Sequence, residues 1–234
     1  MSDEASRFDT EALRAALGLP QAVWLHAVAW RAGGAEPFAG EPLPVDLYGA
    51  SPRRQAQFRA GRYCARHALA QAVAGLMAPA RGPDGLPVWP DGWTGSISHT
   101  SDRAVAVAAR QDGSGAMFAL GVDVEQWLAP DRADEIADMV ALPDDIAVLA
   151  ASLCRPRADA VTLLFSAKES LYKALYPTVC RFFDFSAARL AGSAPGTLSL
   201  ALTCDWHERW PAGTVFEVQY ALTPDEVVTA VCLG

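Results

Sequence analysis

Gly121-Val122-Asp123-Val124-Glu125, followed forty residues on by Phe165-Ser166-Ala167-Lys168-Glu169-Ser170-Leu171-Tyr172-Lys173-Ala174, are the stretches around which this 234-residue chain is organised. In the first, Phe118, Leu120, Val122 and Val124 alternate with Ala119, Gly121, Asp123 and Glu125. A strand therefore buries one set and turns both acids to the opposite face. In the second, Glu169 and Lys173 stand four residues apart and share a helix face with Phe165 and Tyr176. Together the stretches offer three carboxylates and two lysines, a set suited to Mg²⁺-assisted phosphoryl transfer.

Each motif also has a plainer explanation. Asp-x-Glu at a strand end is ordinarily a solvated face, and Glu–Lys at this spacing is ordinarily an exposed helix pair contributing about 0.3–0.5 kcal/mol. Against that stands the apolar company of Lys168, Glu169 and Lys173, which are surrounded by Leu163, Leu164, Phe165, Leu171, Tyr172, Ala174, Leu175 and Tyr176. Charges set against a packed surface need partners or a ligand.

Upstream, an expected helix over residues 53–77 carries an apolar stripe of Ala65, Leu69, Ala72, Val73 and Leu76. Arg62 lies on the azimuth of that stripe with Arg59 and Arg66 flanking it, so the core-facing side turns basic toward the helix start. Arginines so placed pair either with acids of a neighbouring element or with phosphates and carboxylates of a ligand. The segment from Arg81 to Gly92 is dense in turn formers and reads as a surface loop, where Arg81 alone would be a solvated side chain. Gly95-Ser96-Ile97-Ser98-His99-Thr100 alternates with period two and leads into Ala104–Ala109, which predicts a hairpin. His99 then sits beside hydroxyls at a strand end, either as a donor for a phosphate or as a hydrogen-bonded packing residue. His26, His67 and His207 have no such company and are read as packing residues.

Taken in order, these stretches carry a family resemblance. Arg53-Arg54-Gln55-Ala56-Gln57-Phe58-Arg59-Ala60-Gly61-Arg62-Tyr63-Cys64-Ala65-Arg66, Arg81 ahead of Leu86-Pro87-Val88-Trp89-Pro90, the Gly95–Thr100 strand, the Gly121–Glu125 strand and the Phe165–Ala174 helix resemble the signature set of 4′-phosphopantetheinyl transferases. The likeness is to the surfactin-type group and, within it, to the enterobactin-synthase component D branch. It covers roughly residues 50–185, and Phe165 stands where larger surfactin-type members often carry tryptophan, which points to the component D branch.

The resemblance implies an activity and a set of roles. The 4′-phosphopantetheine group would pass from coenzyme A to a serine of an apo-acyl or peptidyl carrier protein, giving holo-carrier protein and 3′,5′-ADP. Arg54, Arg62, Arg81, Ser98, His99, Lys168 and Lys173 would contact the coenzyme, and Asp123, Glu125 and Glu169 would hold Mg²⁺ as cofactor. Glu169 is the expected base, with Glu125 or a bound water as the other candidates, and Lys173 would stabilise or protonate the departing nucleotide.

Composition agrees with a cytoplasmic enzyme. The chain is 51% hydrophobic, enough for a substantial core in one large domain or two small ones. Five cysteines, Cys64, Cys154, Cys180, Cys204 and Cys232, are scattered with no C-x-x-C pair, so neither a zinc site nor a disulfide framework is expected. Met1-Ser2-Asp3-Glu4 leads into no apolar run of signal or membrane length, which speaks against secretion and stable membrane association. A net charge of −8 argues against general nucleic-acid binding, and anionic partners must be met by local basic patches.

The predicted fold is α+β. Strands are expected near 23–30, in the 96–109 hairpin, over 117–125 and near 197–203, 215–222 and 227–233, with a second long helix over 159–176. Each half thus pairs a long helix with antiparallel strands. The family fold has two similar α/β subdomains related by a pseudo-twofold axis, with the site in the cleft between them. That places subdomains at residues 1–112 and 113–234, joined near Gln111-Asp112-Gly113-Ser114-Gly115, and makes a monomer sufficient. Met139, Val140 and Leu142, amid acids, form either an apolar groove for the carrier protein or plain solvated helix. Two rival functions fit the same residues: a phosphate-ester hydrolase, and a binder of coenzyme A or of carrier proteins in which the carboxylates are structural. The lack of a histidine near the carboxylates in sequence weighs against a binuclear hydrolase.

Overall fold

A computed structural model describes residues 9–31, 34, 36–111 and 119–234. The first half contains α1 (Thr10–Ala16), β1 (Val23–Ala29), α2 (Pro52–Ala72), the short strands β2 (Ala80–Arg81) and β3 (Pro87–Val88), β4 (Trp93–His99) and β5 (Arg103–Arg110). The second contains β6 (Ala119–Gln126), α3 (Pro130–Val140), α4 (Pro143–Leu153), α5 (Arg157–Val179), β7 (Ala188–Ala194), β8 (Thr197–Leu202), β9 (Val215–Leu222) and β10 (Glu226–Leu233). The expected α+β plan is what the chain adopts: α2 lies on an antiparallel sheet of order β1-β5-β4, and α5 on one of order β6-β10-β9-β8-β7. The expected junction near residues 112–115 and the start of the strand at Met117 and Phe118 lie outside the described residues.

Period-two alternation explains how the halves join. On β5, Ala104, Ala106 and Ala108 turn toward α2, meeting Ala60, Cys64, Ala68 and Leu69, while Val105 and Val107 face the second half. There they pack with Leu120, Val122 and Val124 of β6 and Val228 and Ala230 of β10, and α1 closes the same cluster with Leu13 and Leu17. The small residues on the α2 face of β5 let that helix approach the sheet closely.

On β6 the other face belongs to α5. Gly121 lies directly beneath it: a Cβ there would stand 1.8 Å from the Ser170 carbonyl oxygen, so only glycine allows this contact between helix and strand. Edge strand β6 does not pair with β4, yet the two lie side by side, and the Val122 N–H donates to Ser96 Oγ at 3.1 Å.

Several elements differ from expectation. α2 starts one residue early, at Pro52 behind an N-cap in which Ser51 Oγ accepts the Arg54 N–H at 3.3 Å, and it ends at Ala72 instead of 77. Val73 is extended and Gly75 has φ +86°, a left-handed turn that breaks the helix before Leu76. The 81–92 loop contains the β2–β3 ladder. Around Met139, Val140 and Leu142, where helix was one of the two expectations, the chain forms two helices, α3 and α4, and strand β7 was not expected; each of those helices begins with Pro at its first turn, the position where the ring costs no hydrogen bond. Among the described residues no helix is long and apolar enough to cross a membrane.

Candidate active site

With Leu120, Val122 and Val124 committed to the joint between the halves, Asp123 and Glu125 face α5, which presents Glu169 and Lys173. β4 forms the third wall. Lys173 Nζ donates to Asp123 Oδ1 at 2.6 Å, to Ser98 Oγ at 3.0 Å and to the Val122 carbonyl at 3.3 Å. Ser98 Oγ donates to the same Asp123 Oδ1 at 2.7 Å. A serine from one half and a lysine from the other therefore converge on one acid, which is only 2% exposed and whose Oδ2 has no hydrogen-bond partner.

The neighbouring acids feel each other. Burial, then Asp123, and more weakly Glu169, push Glu125 up to about 8 against the opposing pull of Lys173. Burial also raises Glu169, with Lys173 opposing and Asp123 adding. Three oxygen donors that repel one another, one of them with an orphaned buried oxygen, suit a hard divalent cation such as Mg²⁺. Asp123, Glu125 and Glu169 are the oxygen donors this part of the molecule would offer one. Among the described residues the acids are not gathered about a single point, and the counter-charge at Asp123 is the Lys173 ammonium.

Basic groups line the first half. His99, at the end of β4, sets Nε2 3.1 Å from Arg54 Nη1; the guanidinium can only donate, so that ring nitrogen accepts. Burial, then Arg54 and Lys173, pull the His99 pKa down to about 4, leaving a neutral imidazole. Arg62 is 8% exposed, stacks over the Phe58 ring at 4.7 Å and donates from Nη2 to the Ala80 carbonyl at 3.4 Å, while its Nε has no partner. Burial, then Arg81, lower it to about 10. Arg81 itself is ion-paired with Asp46. Arg66 instead pairs with Glu41 at 2.5 Å and Arg59 Nε donates to the Glu41 carbonyl at 3.2 Å, so for these two the partner is a neighbouring element.

Two expectations are corrected. Lys168 does not reach the cluster: its ammonium is buried, donating to the Val140 carbonyl at 2.6 Å and the Phe185 carbonyl at 2.7 Å, so it ties the end of α3 to the segment after α5. Val140 is fully buried and cannot line a groove, although Met139 and Leu142 beside it are exposed. A cavity of about 420 Å³ between Val179, Arg181, Trp206 and His207 lies ten residues beyond Glu169 on α5, roughly 15 Å along the axis, and is no part of the acid cluster. Ser96 was not singled out as a site residue; it stands two residues before Ser98, and period two places both hydroxyls on the face that meets β6.

Both halves of the chain resemble known proteins. The 4′-phosphopantetheinyl transferase N-terminal domain matches residues 45–109, and the 4′-phosphopantetheinyl transferase superfamily domain matches residues 119–232. The chain belongs to the 4′-phosphopantetheinyl transferase superfamily. It is 38% identical to enterobactin synthase component D of Salmonella typhimurium over 156 residues, which are 67% of this chain and 62% of that protein. It is 40% identical over 148 residues to the 4′-phosphopantetheinyl transferase Svp of Streptomyces mobaraensis, covering 61% of this chain and 56% of that one. With the 4′-phosphopantetheinyl transferase PptT of Mycobacterium tuberculosis it shares 31% identity over 164 residues, 67% of each. The chain spans about three fifths of the length of the component D proteins it matches in Salmonella.

Proposed function

We propose that this chain transfers the 4′-phosphopantetheine group of coenzyme A to a serine hydroxyl of an acyl or peptidyl carrier protein, releasing 3′,5′-ADP, and that it does so as a cytoplasmic monomer with Mg²⁺. The observation that carries the reading is the convergence of Ser98 and Lys173 on Asp123 from opposite halves, next to two carboxylates of raised pKa. Phosphoryl transfer needs this combination of oxygen donors for a cation, a lysine for a phosphate and an acid able to accept a proton.

Mg²⁺ held by Asp123, Glu125 and Glu169 would screen the charge of the coenzyme A pyrophosphate. Glu169, whose pKa is already raised by burial, takes the proton of the attacking serine. Lys173 moves its donors from Ser98 and Asp123 to the leaving phosphate. Arg54, Arg62, Arg81, Ser98 and His99 hold the coenzyme phosphates, and neutral His99 serves as a hydrogen-bond donor there and not as a cation. Lys168 acts structurally. Met139 and Leu142 remain available to a carrier protein.

The test is incubation of the protein with coenzyme A, Mg²⁺ and several apo-carrier domains, with and without chelator, followed by intact mass measurement of the carriers. A chelator-sensitive gain of one phosphopantetheine supports the reading. Coenzyme A binding without any gain on any carrier would replace it with a binder, and carrier-independent release of phosphate would replace it with a hydrolase.

A further inference from the structure

Among the basic groups of the first half stands one acid, Asp46, that the coenzyme reading leaves without a role. Arg81 lies close enough to Arg62 to add to the effect of burial in disfavouring the Arg62 charge. Arg62 has no carboxylate partner among the described residues, and its buried Nε is without an acceptor. Arg81 has one, Asp46, which sits in a single 3-10 turn at Val45–Leu47 just ahead of α2. Asp46 is half exposed, so nothing in the packing forces its carboxylate onto Arg81; the guanidinium draws it there. Gly85, at φ +86°, turns the chain back beside Arg81: a Cβ added there would stand 3.2 Å from the guanidinium.

We infer that Asp46 is a built-in competitor for the phosphate-binding pair Arg62 and Arg81, occupying Arg81 until a ligand phosphate displaces it. The inference rests on the reading of Arg62 and Arg81 as coenzyme A contacts. A phosphate carrying two charges can bridge both guanidiniums and satisfy the orphaned Arg62 Nε, which one carboxylate on Arg81 cannot do. Asp46 then swings into solvent, where its exposed turn leaves room for it. Asp46 is a specificity-determining residue on this account: it raises the threshold for singly charged ligands, which gain too little from Arg62 to offset the lost pair, more than for a phosphate dianion.

The prediction concerns binding and is measured by calorimetry on the full chain with 3′,5′-ADP as probe, at low salt. Asp46→Asn removes the competing charge while keeping shape, and it should tighten the dissociation constant about two- to fivefold, the scale of one partly exposed ion pair. Asp46→Ser should do the same, and the gain should shrink as salt is raised. Acetate, as a singly charged competitor of 3′,5′-ADP, should compete more effectively against the Asp46→Asn variant than against wild type. An unchanged or weakened dissociation constant in both Asp46 variants, with Arg81→Ala still weakening binding, overturns the competitor and leaves the phosphate site standing. Unchanged binding in both Arg62→Ala and Arg81→Ala removes the phosphate site itself and the inference with it. Circular dichroism melts of each variant separate loss of binding from loss of fold.

Discussion

Arg103 of β5 and Glu226 of β10 face each other at 3.4 Å as a buried ion pair, 3% and 0% exposed, that ties one half of the molecule to the other. Breaking a buried pair is costly, so Glu226→Ala should cost about 3–5 kcal/mol, and a double variant that replaces both residues should cost less than the sum of the two singles. Guanidinium unfolding of the single and double variants measures this. A single-variant loss below about 1 kcal/mol would mean that water reaches the pair.

Lys173 holds Asp123 of its own half and Ser98 of the other, and its transfer to a leaving phosphate should matter most in the rate step. Lys173→Ala is expected to lower kcat by about 10²–10³, in line with loss of one preorganised charge-stabilising donor. The measurement is turnover at saturating coenzyme A and carrier. A decrease of less than tenfold would reduce Lys173 to a structural partner of Asp123.

Gly121→Ala puts a methyl group into the Ser170 carbonyl and the Ala174 N–H. The backbone of α5 must move away from β6, and a destabilisation of about 3 kcal/mol is expected by urea titration. Because the same movement shifts Glu169 and Lys173 relative to Asp123, transfer should fall even under conditions where the variant stays folded. Full activity with unchanged stability would contradict the close approach.

Lys168 lies in the signature helix but apart from the acid cluster, bound to the carbonyls of Val140 and Phe185. Lys168→Met should lower the melting temperature and leave the dissociation constant for coenzyme A within twofold of wild type. Weakened coenzyme binding at unchanged stability would return Lys168 to the phosphate-binding set.

His26 of β1 stacks on His67 of α2 with ring centroids 4.8 Å apart, and Tyr63 lies against both. Burial, then His67 and Arg66, lower His26 from 6.5 to about 4, so on acidification the unfolded chain takes up this proton first. Its contribution is therefore intact above about 6.5 and is lost as pH falls from there toward about 4. His26→Phe should flatten the fall in melting temperature between neutral and mildly acidic pH. Parallel curves for the two proteins would rule His26 out as the cause.

What could be read from residues alone followed local periodicity. The face of β6 that bears Asp123 and Glu125 is legible in five residues, because alternation fixes which side chains oppose Val122 and Val124. Glu169 and Lys173 follow from helical spacing. Lys168 does not: one residue from Glu169 it is rotated by about 100°, and what it meets depends on where the α3–α4 corner lies. Arg66 and Arg62 look alike along the stripe, yet Glu41 takes one and not the other. Asp46 carries no local signal, since its partner lies 35 residues on. Helices α3 and α4 were legible in principle through Pro130 and Pro143, each opening a helix as its first residue.

The lateral contact between β4 and β6 has a consequence for how the chain survives its own synthesis. β6 is the outermost strand of its sheet, and open strand edges recruit other chains. Here the Val122 amide is taken by Ser96 and the Val122 carbonyl by Lys173, so the edge is blunted by side chains and not by another strand. Ser96 precedes β6 in translation order, and the cover is made before the edge it protects. The second half produced alone would keep Lys173 on the Val122 carbonyl but lose β4 and Ser96 from the amide side of that edge, which makes self-association, more than unfolding, the expected fate of such a fragment.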